Sequence, residues 1–528
     1  MAIKRRDIML LACLLACAAL LRFWGLRDRG FMIWDEAYYA LEGGTVPHAV
    51  HRLAEGGGMH EVKRCLVDGG NVLPTGTAKP GFMLLLSLWG LAFGTSDFAG
   101  MSMTASAGVL CVLLAFFAAR RCAGTAAGLC AAFFLTFSGL HIWYSRVLLG
   151  NSIAAAFLML GLLAYVRAAS GLGGRRSASA FFAAGAVAGF AFMVHYALLP
   201  NLAALALCEL MRLWDRRENI ARELVNSLSL AAGLLSVMSA AELATRCAYR
   251  ALSSGLAGVA HLTYFQYLAR QFLWNAPTGN HIGWACGLYM SGLRDFLGWP
   301  SALMYAAALV LAVVLFLRER DLAFRLFIVQ TWCTLLFWLL SPGVAAMRVM
   351  AVLAPLLAVT AALVSVTAAK DLGRPLRLWW GASLLAASLA GAALCVPEML
   401  RARSVYPEAA AWLAANGEKS PASLVEWPFL QFYLGSKIYN NDDRLNGVLA
   451  PAALMNSGTK YLVITNTEKD WLGGKKTYPG LLASLKNSSP EASWRTGAGG
   501  RFLAYDGMFY PQFISEVEIY KLSKLRGR

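Results

Sequence analysis

Eleven apolar stretches divide residues 1–396 of this chain, and they limit its fold more strongly than any other feature. A helix needs roughly 20 apolar residues to cross the hydrocarbon core of a bilayer, and charged residues fall mainly between these stretches. The chain is 58% hydrophobic, whereas an ordinary soluble domain is about 45–50% apolar. The sequence therefore predicts a polytopic, mainly α-helical membrane protein with spans at about 8–26, 101–119, 123–142, 148–166, 178–196, 198–213, 226–246, 298–317, 323–340, 345–367 and 377–396.

The short loops carry most of the excess of basic residues, and they predict which way the bundle faces. Cytoplasmic loops of membrane proteins are enriched in Lys and Arg. A further apolar segment at 81–94 is only about 21 Å long as a helix, too short for a hydrocarbon core of roughly 30 Å. If it does not cross, every basic loop falls on the cytoplasmic side. We therefore expect an external juxtamembrane or re-entrant helix at 81–94, and external loops at 27–100 and 247–297.

The net charge of +17 follows from the same loops. Because the basic residues serve orientation and no base-stacking module accompanies them, the sequence predicts no nucleic-acid partner.

The last part of the chain differs in kind from the rest. Strand-like runs occur at 422–427 and 461–465, and a helix-like run occurs at 406–416. Such alternation is typical of a small α/β domain. We therefore expect two domains: a transmembrane domain at 1–397 and an extracytoplasmic α/β domain at 398–528.

Cysteine and histidine give weak signals for a disulfide or a metal. Most of the eleven Cys lie in apolar stretches, whereas Cys65 and Cys286 fall well inside the predicted external loops, so their pairing stays open. His48 and His51 have a spacing that would suit metal ligation on a helix, and His60 follows in the same loop. Pro47 favours an irregular loop there instead.

Two adjacent carboxylates, Asp35 and Glu36, follow the first span. Carboxylates beside a membrane are costly unless they are paired, hydrated or used in function. Asp35 could instead cap a helix that begins near Ala37. Glu36 could orient Asp35, bind a metal or cap the same helix, and we favour orientation.

Four landmarks occur along the membrane region in one order. They are Trp34-Asp35-Glu36-Ala37-Tyr38-Tyr39, then Lys79-Pro80 opening an apolar run that ends at Phe98, then Tyr144-Ser145-Arg146 followed by Asn151, and finally Arg348 with Pro355. This order resembles the GT-C-fold membrane glycosyltransferases, and within them the group of protein O-mannosyltransferases and lipid A aminoarabinose transferases. The resemblance covers roughly residues 1–396.

The resemblance implies a GT-C-type bundle of about eleven transmembrane helices and an inverting glycosyltransferase. Such an enzyme takes a hexose or pentose from a polyprenyl-phosphate donor and transfers it to an acceptor hydroxyl of a glycan, lipid or protein. It implies that Asp35 is the general base. The location would be the bacterial inner membrane, with the active site extracytoplasmic.

The residue types fit this chemistry. Lys79, Arg146 and Arg348 are predicted to lie on the external side and could hold the donor phosphate, because guanidinium and ammonium groups bind phosphate oxygens. The alternative for each is a cation that snorkels at a helix end. Candidate substrate contacts are Tyr38, Tyr39 and Asn151, although tyrosines are also common at membrane interfaces.

The chain departs from the pattern of its relatives before Lys79, where Ala78 replaces a frequent acidic residue, and at Asn151, where an Asp is frequent. A divalent metal ion is therefore left open as a cofactor. The main alternative function is a transporter or flippase for a lipid-linked glycan precursor, although no paired halves are visible. A membrane scaffold is a third.

Overall fold

The computed structural model describes most of the chain. The described residues are 4–68, 71–72, 79–170, 177–252, 263–274, 282–340, 346–418, 421–423, 427–435, 459–465, 485, 487–495, 500–503, 505 and 516–525.

Helices dominate these residues, in agreement with the predicted fold class. Their bounds are α1 Arg5–Phe23, α2 Trp34–Ala54, α3 Met59–Leu66, α4 Pro80–Phe93, α5 Asp97–Ala123, α6 Thr125–Thr136, α7 Gly139–Ser145, α8 Asn151–Ser170, α9 Ala178–Val194, α10 Leu199–Asp215, α11 Ile220–Leu252, α12 Tyr264–Trp274, α13 Ile282–Leu297, α14 Trp299–Arg318, α15 Leu322–Leu340, α16 Leu353–Lys370, α17 Arg374–Arg401, α18 Tyr406–Ala415, α19 Trp427–Leu434 and α20 Gly500–Leu503. The strands are β1 Val67–Asp68, β2 Asn71–Val72, β3 Ala422–Ser423, β4 Tyr461–Thr465, β5 Ala492–Arg495 and β6 Glu516–Lys521.

Within the described part of the chain, eight helices are long and apolar enough to span a membrane, or nine if the bent pair α6 and α7 is one span. The protein is therefore a multi-pass membrane protein. Two further stretches expected to span are helical but fall outside that count: α9 has 17 residues, and α1 carries charges in its first and last turns. The juxtamembrane candidate is helix α4, with 14 residues.

Two compact units make up the structure. The first consists of Met1–Trp24, Glu42–Thr95 and Ala99–Pro397, and the second of Gly25–Leu41, Ser96–Phe98 and Glu398–Arg528. The second unit therefore includes two short segments that precede residue 100.

In the first unit, α9 and α11 approach so closely that their backbones touch at glycines. A Cβ on Gly185 would lie well inside the van der Waals radius of the Leu230 carbonyl oxygen, and a Cβ on Gly233 would do the same at the Phe182 carbonyl. Small residues at such crossings allow membrane helices to pack without a hydrophobic driving force between them. The glycines therefore fix the α9–α11 contact.

Replacing Gly185 by alanine should weaken this contact. The added methyl meets backbone atoms, which cannot move aside as a flexible side chain would, so we expect a loss of about 1–3 kcal/mol of stability. Thermal unfolding of the detergent-solubilised protein measures it. Gly381→Ala is the control, because a Cβ there meets nothing within 4 Å. An unchanged unfolding midpoint in Gly185→Ala would contradict the tight crossing.

The second unit contains a four-stranded sheet in the order β3-β4-β6-β5. Strand β4 pairs in parallel with β3 and antiparallel with β6, which also pairs antiparallel with β5. Leu462, Val463 and Ile464 of β4 are buried, and α18 packs Trp412 against Tyr461 at 5.4 Å between ring centroids. The predicted α/β character of this region is therefore confirmed.

The same unit holds the segment that leads into α2. The Phe31 amide donates to the Tyr433 hydroxyl at 2.8 Å, and that hydroxyl donates to Asp97 at 3.0 Å. The Ser404 amide donates to the Arg29 carbonyl at 2.7 Å. Gly30, at φ +66°, allows this approach because a Cβ would lie 2.8 Å from the Ser404 Cβ. The start of α2 is thus anchored by residues more than 350 positions later.

Candidate functional site

Glu36 lies in the first turn of α2 and is fully buried. Its carboxylate pairs with the buried Arg29 guanidinium at 2.9 Å and accepts from the amides of Met32 and Ile33 at 2.8 and 2.9 Å. These bonds satisfy amides at the helix start, as a capping carboxylate does. Glu36 therefore fixes the entry of the chain into α2.

Asp35 precedes it and is only partly buried. Successive residues of an α-helix point about 100° apart, so the anchored carboxylate of Glu36 and the carboxylate of Asp35 face different directions. Trp34 and Tyr38, four residues apart, stack at 5.0 Å, and Tyr38 contacts Tyr39 at 6.1 Å. A partly exposed carboxylate next to packed aromatic rings suits a general base, because an acceptor hydroxyl can reach it.

The first unit brings a second set of candidate residues together. Lys79 precedes α4, Asn151 opens α8, and Arg348 lies in a short 3₁₀ helix, Met347–Val352, before α16. Glycines allow the segments of Lys79 and Asn151 to approach the end of α9. A Cβ on Gly81 would lie 3.0 Å from the backbone of Met193 at the end of α9, and one on Gly150 would lie 3.1 Å from the Val194 carbonyl.

His195 follows α9 at this meeting point, and the sequence did not indicate it as a site residue. It is 2% exposed. The positive charges of Lys79 and Arg348 act on its imidazole. Its Nδ1 accepts from the Ala197 amide at 3.1 Å, so the ring proton resides on Nε2, which can donate.

We define the cation cluster as Lys79, Arg348 and the His195 imidazole on which both charges act. The Lys79 ammonium lies 5.7 Å from the ring centroid of Tyr196. Asn151 Nδ2 donates to the Arg348 carbonyl at 2.7 Å. Two cations and a neutral N–H donor at one end of several spans are a set suited to phosphate oxygens.

Arg146 is placed differently from the other predicted phosphate ligands. It is buried, and its Nη1 donates to the carbonyls of Leu21, Arg22 and Trp24 at 3.4, 3.2 and 2.7 Å. Carbonyls at the end of a helix lack partners within the helix, and a guanidinium satisfies them. These bonds tie Arg146 to the end of α1, and its role at a phosphate stays a prediction.

The expectation of an irregular loop around His48 and His51 is wrong, because α2 continues through Pro47 to Ala54. A helix interior proline leaves the carbonyl four residues earlier without its donor. Here that carbonyl, Gly43, accepts from the Ser87 hydroxyl at 3.1 Å. The neighbouring α4 therefore compensates for the proline.

No group of three His, Cys, Asp or Glu side chains close enough to hold a metal occurs among the residues that the structure describes. Glu36 is occupied by Arg29 and two amides, His51 pairs with Glu55 at 3.1 Å, and His48 contacts Thr95 at 3.5 Å. The described side chains thus do not form a metal site. Cys65 and Cys286 are both free thiols.

Two comparisons with known proteins bear on this geometry. The family model "Dolichyl-phosphate-mannose-protein mannosyltransferase" matches residues 77–243, which include Lys79, Asn151 and His195. The crystal structure of ArnT from Cupriavidus metallidurans bound to undecaprenyl phosphate superposes with a TM-score of 0.60 at 14% identity, over 98% of this chain and 99% of that one. The chain has the GT-C fold.

A second GT-C structure agrees. The oligosaccharyltransferase AglB from Archaeoglobus fulgidus, in complex with an inhibitory peptide and a dolichol-phosphate, matches with a TM-score of 0.60 at 15% identity, over 91% of this chain and 72% of that one. The curated protein sequences give no match. The family match and the GT-C fold together support a membrane glycosyltransferase.

Proposed function

We propose that this protein transfers a sugar from a polyprenyl-phosphate donor to an acceptor hydroxyl on the extracytoplasmic face of the bacterial inner membrane. The observation that carries the proposal is the cation cluster at one end of a GT-C bundle. It supports a ligand that presents phosphate oxygens at the membrane surface. Two proteins of the same fold were solved with a lipid phosphate bound, one with undecaprenyl phosphate and the other with a dolichol-phosphate. Both of these lipids present phosphate oxygens at the membrane surface.

The reaction is a displacement at the anomeric carbon with inversion. Asp35 takes the proton of the acceptor hydroxyl as its oxygen bonds to the anomeric carbon, and the bond from that carbon to the phosphate oxygen breaks. Negative charge then collects on the departing polyprenyl phosphate. Three groups stabilise that charge: Lys79, Arg348 and the Nε2–H of His195. Such stabilisation by preorganised donors is usually the largest single contribution to the rate of a reaction of this kind.

The remaining candidates take supporting parts. Glu36, through Arg29 and the helix-start amides, fixes the segment that carries Asp35. Tyr38 and Tyr39 offer aromatic surface and hydroxyls for the sugar or the acceptor. Asn151 holds the backbone of Arg348 and so orients the 3₁₀ turn.

Turnover of a labelled donor tests the proposal. The purified protein, in detergent with polyprenyl-phosphate sugars labelled in the sugar, should release unlabelled polyprenyl phosphate and move the label to an added acceptor extract. The transporter or flippase alternative predicts movement of the intact labelled lipid across a vesicle membrane with no cleavage. Lipid movement without cleavage, across a panel of hexose and pentose donors, would overturn the glycosyltransferase proposal.

Neutralising the cation cluster should slow transfer. We expect Lys79→Gln and Arg348→Gln each to lower kcat/KM for the donor about 100-fold, because each removes a donor to the developing phosphate charge. Arg348→Lys should retain part of the rate, since it keeps the charge but loses the planar fork. Arg318→Gln is the control, because this exposed Arg pairs with Asp371 on the surface. Equal rates in the control and the two variants would contradict the assignment.

A further inference from the structure

A polar cavity of about 400 Å³ opens where five helix ends meet in the first unit. It is lined by the ends of α5, α8 and α10 and by the turn from α14 to α15. The side chains on its wall include four arginines and two aspartates: Arg121, Arg212, Arg216, Arg320, Asp215 and Asp321. Nothing in the proposed transfer reaction uses this cavity.

The cavity lies at the end of the bundle opposite to the cation cluster. Asn151, beside Arg348, is the first residue of α8, and Ser170, on the cavity wall, is the last. At 1.5 Å per residue the two ends of this helix are about 30 Å apart, which is the thickness of the hydrocarbon core. The cavity is therefore a separate site on the other side of the spans.

Exposed apolar side chains mark the membrane boundary at this end. Trp214, next to Asp215, is 72% exposed, and Leu317, near the end of α14, is 76% exposed. Tryptophan that is exposed at the end of a span typically lies at the level of the lipid head groups. The cavity therefore opens at the depth where phospholipid phosphates lie.

The arginines of the cavity differ in how far their charge is already compensated. Arg212 is buried and pairs with both Glu209 and Glu223, so its charge is matched within the protein. Arg216 donates from Nη2 to the Ala169 carbonyl at 3.3 Å. Its Nη1 makes no hydrogen bond with the described residues but forms an ion pair with Glu223 at 3.7 Å, so the charge of Arg216 is compensated in part.

The cavity mouth carries further donors. Arg121 and Arg320 are exposed, and Arg121 donates to Ser170 at 2.8 Å. Of the two aspartates, Asp321 is occupied in part by the Phe324 amide at the start of α15, at 2.9 Å. The wall thus offers two exposed guanidinium groups to an anion, with the ion-paired Arg216 near them and Asp215 on the same wall to accept from an ammonium group.

We propose that this cavity binds the phosphate of a phospholipid head group. Arginine forks bind phosphate oxygens in pairs, and basic pockets between membrane helices on the cytoplasmic side take lipid head groups. The exposed Arg121 and Arg320 donate to the phosphate oxygens, and Arg216, which is paired with Glu223, adds positive charge to the wall behind them. Asp215 accommodates an ethanolamine ammonium where the lipid carries one. The proposal is independent of the transfer reaction.

Lipid titration with native mass spectrometry tests the proposal on the full-length protein. The probes are phosphatidylglycerol, phosphatidylethanolamine, phosphatidylcholine and inorganic phosphate, added separately to delipidated protein in detergent. We expect the glycerol and ethanolamine lipids to bind the unmodified protein. The double variant Arg121→Gln, Arg320→Gln should bind them about 30-fold more weakly, and Arg216→Gln about fivefold more weakly.

The matched controls remove the same charges outside the cavity. The first control, Arg217→Gln, changes a residue that is next to Arg216 but is not part of the cavity wall. The second, Arg318→Gln, changes an exposed residue of α14 that is also outside the wall. Their combination should leave lipid affinity unchanged, and thermal unfolding checks that all variants are folded. Binding of inorganic phosphate but of none of the lipids, with the same arginine dependence, would overturn the lipid assignment in favour of a phosphate ligand from solution. Equal affinities in the double variant and its control, or no binding of any probe, would overturn the proposal.

Discussion

Replacing Asp35 by asparagine should lower the rate of glycosyl transfer about 1000-fold, the largest effect on activity that we expect from any single change. Asparagine keeps the size of the side chain and removes its capacity to take a proton, and a positioned general base typically contributes about 10²–10⁴-fold. The loss should appear in kcat at saturating donor. Single-turnover assays with labelled polyprenyl-phosphate sugar separate it from donor binding.

The thermal unfolding midpoint of Asp35→Asn should equal that of the unmodified protein, because Asp35 is only partly buried and Glu36 makes the bonds that anchor this segment. Asp28→Asn is the matched control, since Asp28 is an exposed carboxylate seven residues earlier. It should keep full activity. Transfer by Asp35→Asn at the unmodified rate would remove the base from the mechanism.

The membrane part of the fold could be predicted from the sequence because the thickness of a bilayer sets the length of each spanning helix. A span needs roughly 20 apolar residues whatever its neighbours are, and described helices cover most of each predicted stretch. The break inside the predicted span 123–142 was not visible, since α6 and α7 are both apolar but bend by 63° at Phe137 and Ser138. A hydropathy pattern indicates whether a segment lies in the membrane, but it does not indicate where the helix axis bends.

The candidate site shows the same division between local and tertiary information. Lys79, Asn151 and Arg348 could be selected because each stands at the end of an apolar run. His195 could not be distinguished from the other histidines at span ends, because its proximity to Lys79 and Arg348 depends on the close approach at Gly81 and Gly150. In the same way, the helix through Pro47 depends on a hydroxyl from another helix, so the sequence rules favoured a loop.

Replacing Glu36 by glutamine should have the largest expected effect on stability. The change leaves the Arg29 guanidinium, which is 1% exposed, without its buried counter-charge. Removing one partner of a buried ion pair costs about 3–5 kcal/mol, because the other charge stays buried and unpaired. Glutamine also has only one acceptor oxygen, so its NH2 group must face a donor, either the Arg29 guanidinium or the Met32 and Ile33 amides. Thermal unfolding measures the loss, and Glu408→Gln, an exposed carboxylate of the same unit, is the control.

A double variant then separates a positioning role of Glu36 from a chemical one. Arg29→Met together with Glu36→Gln removes both charges, so most of the stability lost in Glu36→Gln should return, as it does when a buried ion pair is replaced as a whole. If Glu36 only positions the segment that carries Asp35, glycosyl transfer should recover with the unfolding midpoint. A double variant that is as stable as the unmodified protein but as inactive as Asp35→Asn would show instead that the Glu36 carboxylate itself takes part in the reaction. The two readouts together therefore distinguish a carboxylate that builds the site from one that works in it.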